Sequence, residues 1–219
     1  MKTVAIAAVL TLLIPVAMGA GIADAQTTVT VDPATINLGY MNVYELPVNG
    51  GGFVFGSGWG LPDLTAVFAG NDLTLGPNTI GDPDPFWYIG GGGPGAPGNK
   101  IMEANTYAEV TGALAGQTVT FTGMVLANSL TSAHTVVAFV KDYAPDYSSF
   151  VQNTVALSAL GPFSVSLATI NDPGRHVQWG FQMVGENVWI TDVGPFGSMT
   201  VGPDPATPTE ATTWGRMKS

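Results

Sequence analysis

The sequence predicts an all-β protein folded as a two-sheet antiparallel β-sandwich. Three observations lead there. Short runs rich in Val, Thr, Phe and Tyr are separated by turn residues, the clearest runs alternate apolar and polar positions, and no stretch sustains a helical period. Gly (29 residues) and Pro (16 residues) together make up about a fifth of the chain, enough to end each run in a turn and short of the roughly 25 to 30 percent of disordered low-complexity chains.

In chain order, residues 1–25 read as a targeting segment: a short start with Lys2, an apolar run over 4–18, and Ala23-Asp24-Ala25 as a small-x-small cleavage site before Gln26. The expectation is export, to the extracellular space or periplasm. No later stretch is long and apolar enough to span a bilayer, so no membrane insertion is expected after cleavage. The 194 residues that remain of 219 suit one domain able to bury a full core.

The strand-like runs then fall at 28–31, 53–55, 64–68, 106–110, 118–126, 135–141 and 163–169. With the closing segment they make about eight to ten strands, the pattern of a sandwich or barrel. In 117–127 one face carries Val119, Phe121 and Val125 while Thr118, Thr120 and Thr122 take the other; Phe163, Val165 and Leu167 alternate with Ser164 and Ser166. The strongest alternation is in 176–201, where Val177, Trp179, Phe181 and Met183 interleave with Gln178, Gly180 and Gln182. Gly185, Glu186 and Asn187 read there as a turn into a second strand at 188–193, and the sandwich domain is expected to occupy 26–201.

Two regions break the pattern. Residues 82–100 combine Asp-Pro turns, the aromatic cluster Phe86-Trp87-Tyr88 and a Gly/Pro run that excludes helix and central strand. They are expected to form a long surface loop of the kind that often carries function. Residues 202–219 read as a flexible Pro/Thr-rich tail ending in Trp214-Gly215-Arg216-Met217-Lys218.

The balance of 6 Lys/Arg against 16 Asp/Glu gives a formal net charge of −10. So few cations cannot displace the counterions of a phosphate backbone, which excludes nucleic acid and anionic lipid as expected partners. There is no cysteine, so disulfides, thiol catalysis and Cys-ligated zinc are excluded as well.

Catalytic constellations are sparse. His134 and His176 stand outside any metal-ligand spacing and read as structural or surface residues. There is no G-x-S-x-G elbow, and the Gly90 to Gly93 run leads into Pro94 rather than into a phosphate-binding helix. Glu103 and Glu109 share a strand face but stand about 20 Å apart at about 3.3 Å per residue, too far to flank one glycosidic bond. Carbohydrate binding asks for less: exposed rings as platforms and amide or carboxylate side chains as hydrogen-bond partners. Trp59, Trp87, Tyr88, Tyr143, Tyr147, Trp179 and Trp189 supply rings, with Gln178, Gln182, Asn187 and Arg175 near them in sequence. Against that reading, large rings in a sandwich more often pack in the core.

Asn42-Val43-Tyr44-Glu45, followed by a Gly-rich turn and Trp59, resembles the opening strand of the carbohydrate-binding modules of families 4, 9 and 22. Leu114-Ala115-Gly116-Gln117-Thr118-Val119-Thr120-Phe121 resembles their central strand, and 188–193, with Asp192 before Val193, resembles their closing strand. The resemblance spans most of 38–201 and consists of strand signatures. It implies a galactose-binding-like jelly roll of two antiparallel sheets that binds glycan on a concave face or at loop ends. It also implies a structural calcium where the first and last strands meet, with Glu45 and Asp192 at the matching positions. Hard oxygen ligands from both ends of the domain would pin a cysteine-free fold; otherwise these are a surface Glu and a turn Asp. The insert at 82–100 has no counterpart in those modules.

The expected protein is therefore a secreted, non-catalytic carbohydrate-binding module with an extracellular glycan as partner, in a matrix or at a cell surface. Trp87 and Tyr88 are the candidate platforms on the loop; Trp179, with Gln178 and Gln182, is the candidate on the sheet. Two alternatives remain. One is a self-associating structural or filament subunit; the other is a polysaccharide-degrading enzyme with a cross-strand carboxylate pair.

Overall fold

A computed structural model describes residues 25–205; residues 1–24 of the expected targeting segment and 206–219 of the expected tail lie outside it. Among the described residues there are twelve strands. In chain order they are β1 (Gln26–Thr30), β2 (Leu38–Glu45), β3 (Phe53–Gly58), β4 (Ala66–Ala69), β5 (Asp72–Leu75), β6 (Lys100–Thr111), β7 (Thr118–Asn128), β8 (His134–Tyr143), β9 (Phe150–Ala156), β10 (Gly161–Ala168), β11 (His176–Glu186) and β12 (Met199–Gly202). No helix among these residues is long and apolar enough to cross a membrane.

The strands form two six-stranded sheets. In the first, β7 pairs with β10 along one edge and is shared on the other by β1 and β12, with β5 and β4 beyond. The second has the order β3-β2-β6-β11-β8-β9. The chain passes back and forth between the sheets, which is the jelly-roll sandwich implied by the resemblance. Its pairings are antiparallel save one: β1 runs parallel to β7, so the first sheet is mixed.

Alternation builds the core as the sequence indicates. Val119, Phe121 and Val125 of β7, Phe163, Val165 and Leu167 of β10, and Val177, Phe181 and Met183 of β11 are all buried, each contributing about 1.5 to 3 kcal/mol of hydrophobic stabilisation. At the centre Phe121, Phe163 and Phe181 meet edge to face across the sheets, with centroids 5.3 to 5.8 Å apart. Gly123 makes that packing available, since a Cβ there would collide with the Phe163 ring.

One corner is held by charge. Asp142, at the end of β8, accepts from Arg175 Nε at 2.8 Å and from the Ile170 amide at 2.8 Å, while the Arg175 guanidinium also donates to the Asp142 carbonyl. Both residues are buried, so the pair clasps β8 to the turn before β11 in a chain that has no cysteine to do so. Along one side of the sandwich, the uncharged edge strand β9 is joined to β10 by Asn153 Nδ2 donating to the Ser166 carbonyl at 2.6 Å.

Two expectations change. Residues 188–193 are not a strand: Val188 makes one isolated bridge to Thr79, its amide donates to the Asn78 carbonyl, and Trp189 to Asp192 form a turn. Gly185 and Glu186 belong to β11 instead of a turn, and the strand that closes the sheet is β12. The loop at 82–100 does not stand free either. Tyr88 is fully buried, its hydroxyl donating to the Ile80 carbonyl (2.6 Å) and accepting from the Ile80 amide (3.1 Å), its ring edge-on to Trp189 at 5.1 Å. Burying the ring while meeting its hydroxyl folds the loop back onto the end of the second sheet.

Candidate functional site

The second sheet turns Met102, Ala104 and Ala108 of β6 and Val177, Trp179, Phe181 and Met183 of β11 into the core. Strand parity then sends Glu103, Asn105, Tyr107 and Glu109, and Gln178, Gly180 and Gln182, to its other face. Registers align them in rows: Tyr40, Asn105, Gln182 and Val137; then Tyr107, Gly180 and Phe139; then Glu109, Gln178, Lys141 and Gln152; then Thr111, His176, Tyr143 and Phe150. Gly180 is required at its place, because a Cβ would run into the backbone of β6 at Thr106 and Tyr107.

This face is a polar layer framed by rings. Asn105 Oδ1 accepts from Lys141 Nζ (3.0 Å) and Gln182 Nε2 (3.1 Å), and its amide donates to Glu103 Oε1 (3.3 Å). Asn42 Nδ2 donates to the same Glu103 oxygen at 2.8 Å. Glu109 accepts from Gln178 Nε2 at 2.6 Å and from the Tyr147 hydroxyl at 2.9 Å. Around these lie Tyr40, Tyr107, Tyr143, Tyr147 and Phe150, of which Tyr40, Tyr147 and Phe150 are exposed. Tyr147 reaches its place from a left-handed backbone (φ 58°) that puts its ring flat on His176, centroids 4.3 Å apart. Such a conformation in a bulky residue costs about 1 to 3 kcal/mol and persists where the surroundings enforce it.

The electrostatics follow from burial. Lys141, over the Phe139 ring at 4.1 Å, has its pKa lowered to about 8 by desolvation, against which Glu103 pulls upward. Burial pushes the Tyr143 phenol up to about 12, helped by Tyr107, Glu103 and Glu109. Burial and then the hydrogen bond to Glu109 do the same for Tyr147, also to about 12. The hydroxyls therefore stay protonated and can serve as neutral donors and acceptors at any physiological pH.

The expected site residues separate. Gln178 and Gln182 sit in the polar layer. Trp179 does not join them: one residue along a strand, it points into the core, is 5% exposed, and leaves its Nε1 without a partner. Tyr88 is corrected from platform to buried strut, as described above. Trp87 is half-buried against Phe55 (6.2 Å) and Phe86 (4.7 Å), and Phe86 is the ring of that cluster exposed to solvent. Tyr40, Tyr107, Asn105 and Lys141 were not anticipated. The signal for two of them, Asn105 and Tyr107, was present, since Glu103, Asn105, Tyr107 and Glu109 alternate with Met102, Ala104 and Ala108.

The donor set does not fit the implied calcium. Glu45 Oε2 takes the Lys100 ammonium at 3.1 Å, while Asp192 Oδ2 accepts from the Gly95 amide at 2.6 Å and Oδ1 from the Thr191 hydroxyl at 2.8 Å. A carboxylate already neutralised by a lysine is a poor partner for a dication. Among the described residues no group of three or more His, Asp or Glu side chains could hold a metal.

Beyond the row of Tyr44, Ile101 and Glu186 the same sheet ends in a cleft of about 810 Å³. Residues 95–98, 133–135 and 184–188, with Asp192, Pro195 and Phe196, contribute to its walls. Its framework is fixed by Asn187, whose Oδ1 accepts from the Asn99 and Lys100 amides and whose Nδ2 donates to the Trp87 carbonyl. His134 lines it with Nε2 donating to the Glu186 carbonyl at 3.0 Å, Nδ1 unpartnered, and a pKa lowered by burial. The ring is therefore neutral at physiological pH.

No protein-family model matches the chain, and no curated protein matches it. Among solved structures it is similar to the CBM22-2 xylan-binding domain of Paenibacillus barcinonensis Xyn10C, at 11% sequence identity over 63% of this chain and 88% of that one, with a TM-score of 0.26. No residue role is carried over from that likeness.

Proposed function

We propose that this protein is exported and binds an uncharged polysaccharide, without cleaving it, on the outer face of the second sheet. The observation that supports this reading is the frame of Tyr40, Tyr107, Tyr143, Tyr147 and Phe150 around Asn42, Glu103, Asn105, Glu109, Gln178 and Gln182. Rings meet the apolar faces of sugars, and the half-buried Asn42, Glu103, Glu109 and Gln182 exchange hydrogen bonds with their hydroxyls, held in place by the buried Asn105 and Gln178 beneath. Glu103 and Glu109 outnumber the single buried Lys141, which disfavours uronic or sulfated chains.

Affinity electrophoresis against xylan, mannan and β-glucan, with pull-down on cellulose, tests the reading. Tyr40→Ala removes an exposed ring and is expected to weaken retention by about tenfold, equivalent to about 1.4 kcal/mol. Failure of every polysaccharide to retain the wild-type chain, or unchanged retention of Tyr40→Ala, would reject it. A release of reducing ends would replace binding with hydrolysis. Glu103 and Glu186 would then be the pair to mutate, being diagonal neighbours on β6 and β11 at about 7 to 8 Å between α-carbons.

A further inference from the structure

We infer that the cleft at the end of the second sheet is a binding site of its own, adjoining the tyrosine-framed face, for a small apolar amine. Its volume of about 810 Å³ lies within the roughly 300 to 1,000 Å³ of small-molecule sites. Its lining differs in kind from the face beside it. Ala96, Pro97, Ile101, Val184, Val188 and Phe196 give it mostly aliphatic walls, with neither the several rings nor the rows of amides that a sugar chain asks for.

The polar groups of the cleft select the charge of the occupant. Asn187 is consumed by three hydrogen bonds to the backbone. His134 is neutral and turns an unpartnered acceptor, not a positive charge, toward its surroundings. What remains is Glu186, exposed, and Asp192, half-buried. Elsewhere in the described residues the cations are Lys100, Lys141 and Arg175, at 3%, 5% and 9% exposure and each engaged. An ammonium group at the cleft thus meets carboxylates and, among the described residues, no competing positive charge, whereas a carboxylate ligand is repelled.

The cleft is also preformed. The Gly95 amide on Asp192 ties residues of the two loops together, and Gly98 packs so closely on Asn187 that a Cβ would collide with its backbone. Little ordering is left for the ligand to impose, which favours binding by a small molecule.

The test uses three ligands with one apolar body: tryptamine, tryptophol and indole-3-acetate, titrated into the full chain at pH 7 by calorimetry and ligand-observed NMR. The expected order is tryptamine, then tryptophol, then indole-3-acetate, with tryptamine ahead of tryptophol on the order of fivefold, the upper range for an exposed ion pair. Glu186→Gln should remove most of that preference and leave tryptophol unchanged. Ala133→Trp, at an exposed position on the wall, should abolish binding of all three while polysaccharide retention is unaltered. Ala96→Trp repeats the block from the opposite loop, and thermal melts confirm that both variants fold. Absence of saturable tryptamine binding, equal affinity for indole-3-acetate, or undiminished binding in both Trp variants would overturn the inference. None of these results bears on the polysaccharide reading, which is scored by its own assay.

Discussion

The tyrosine-framed face and the cleft at its end are built from the same three strands, β6, β11 and β8, yet they reach opposite chemistry. On the face, backbone groups are satisfied by ladder pairing, so Asn105, Gln178, Gln182, Glu103 and Glu109 are left to bond one another. Bonds of that kind can be exchanged for a ligand's hydroxyls. At the cleft the ladders stop, and polar side chains are drawn to the orphaned backbone: Asn187 to 87, 99 and 100, Asp192 to 95, and His134 to the carbonyl of Glu186. A strand interior leaves its polar side chains to pair with one another, while a strand end spends them on the backbone and leaves an apolar surface.

Three substitutions sharpen or break that contrast. The largest effect belongs to Lys141→Met, on the face. With its folded pKa near 8, Lys141 is held charged below that pH against burial, a penalty on the order of 3 kcal/mol. Between about pH 8 and the usual lysine range near 10.4 the unfolded chain keeps a proton that the folded chain has released, so stability rises with pH. Above about pH 10 the raised phenols of Tyr143 and Tyr147 reverse the slope, because the unfolded chain ionises first. Urea titrations from pH 7 to 9.5 should show the rise in the wild type and not in Lys141→Met, which should be the more stable at pH 7. A wild-type curve that stays flat would show that the ammonium is solvated.

Asn187→Ala comes next, at the cleft. It leaves the Lys100 amide without its acceptor and is expected to cost about 1 to 3 kcal/mol in urea unfolding. Tryptamine binding should fall at least tenfold with polysaccharide retention unchanged; equal loss of both would mean that the two regions are one site. The smallest effect is expected from Tyr147→Gly. Relief of the left-handed backbone offsets the lost ring contacts, so stability should move by less than about 1 kcal/mol. Polysaccharide retention should weaken about threefold, and tryptamine binding should be untouched.

Much of this was legible in the residues. Parity in 117–127, 163–169 and 176–183 gave the strands, their faces and the buried phenylalanines, because a period of two is enforced wherever one face meets a core. The same parity separates Trp179 from Gln178 and Gln182, and grouping them as one site set it aside. Tyr88 and the turn at 188–193 were not readable from local pattern. Tyr88 is fixed by Ile80 and Val188, eight and a hundred residues away, and only the folded chain shows that a Pro- and Gly-rich loop has a buried ring at its centre. Residues 72–75, 150–156 and 199–202 were missed as strands because their runs are short or polar, and their pairing is decided by neighbours.

The outer edge of β9, tied to β10 through Asn153, sets a limit unrelated to ligand. Phe150 to Ala156 presents seven residues without a charge or a proline, and the Asn153 amide already occupies one carbonyl of its neighbour instead of guarding its own strand. At high concentration, copies would zip together at this margin. The yield of the protein is then governed by how dilute it is kept, whatever the strength of its core.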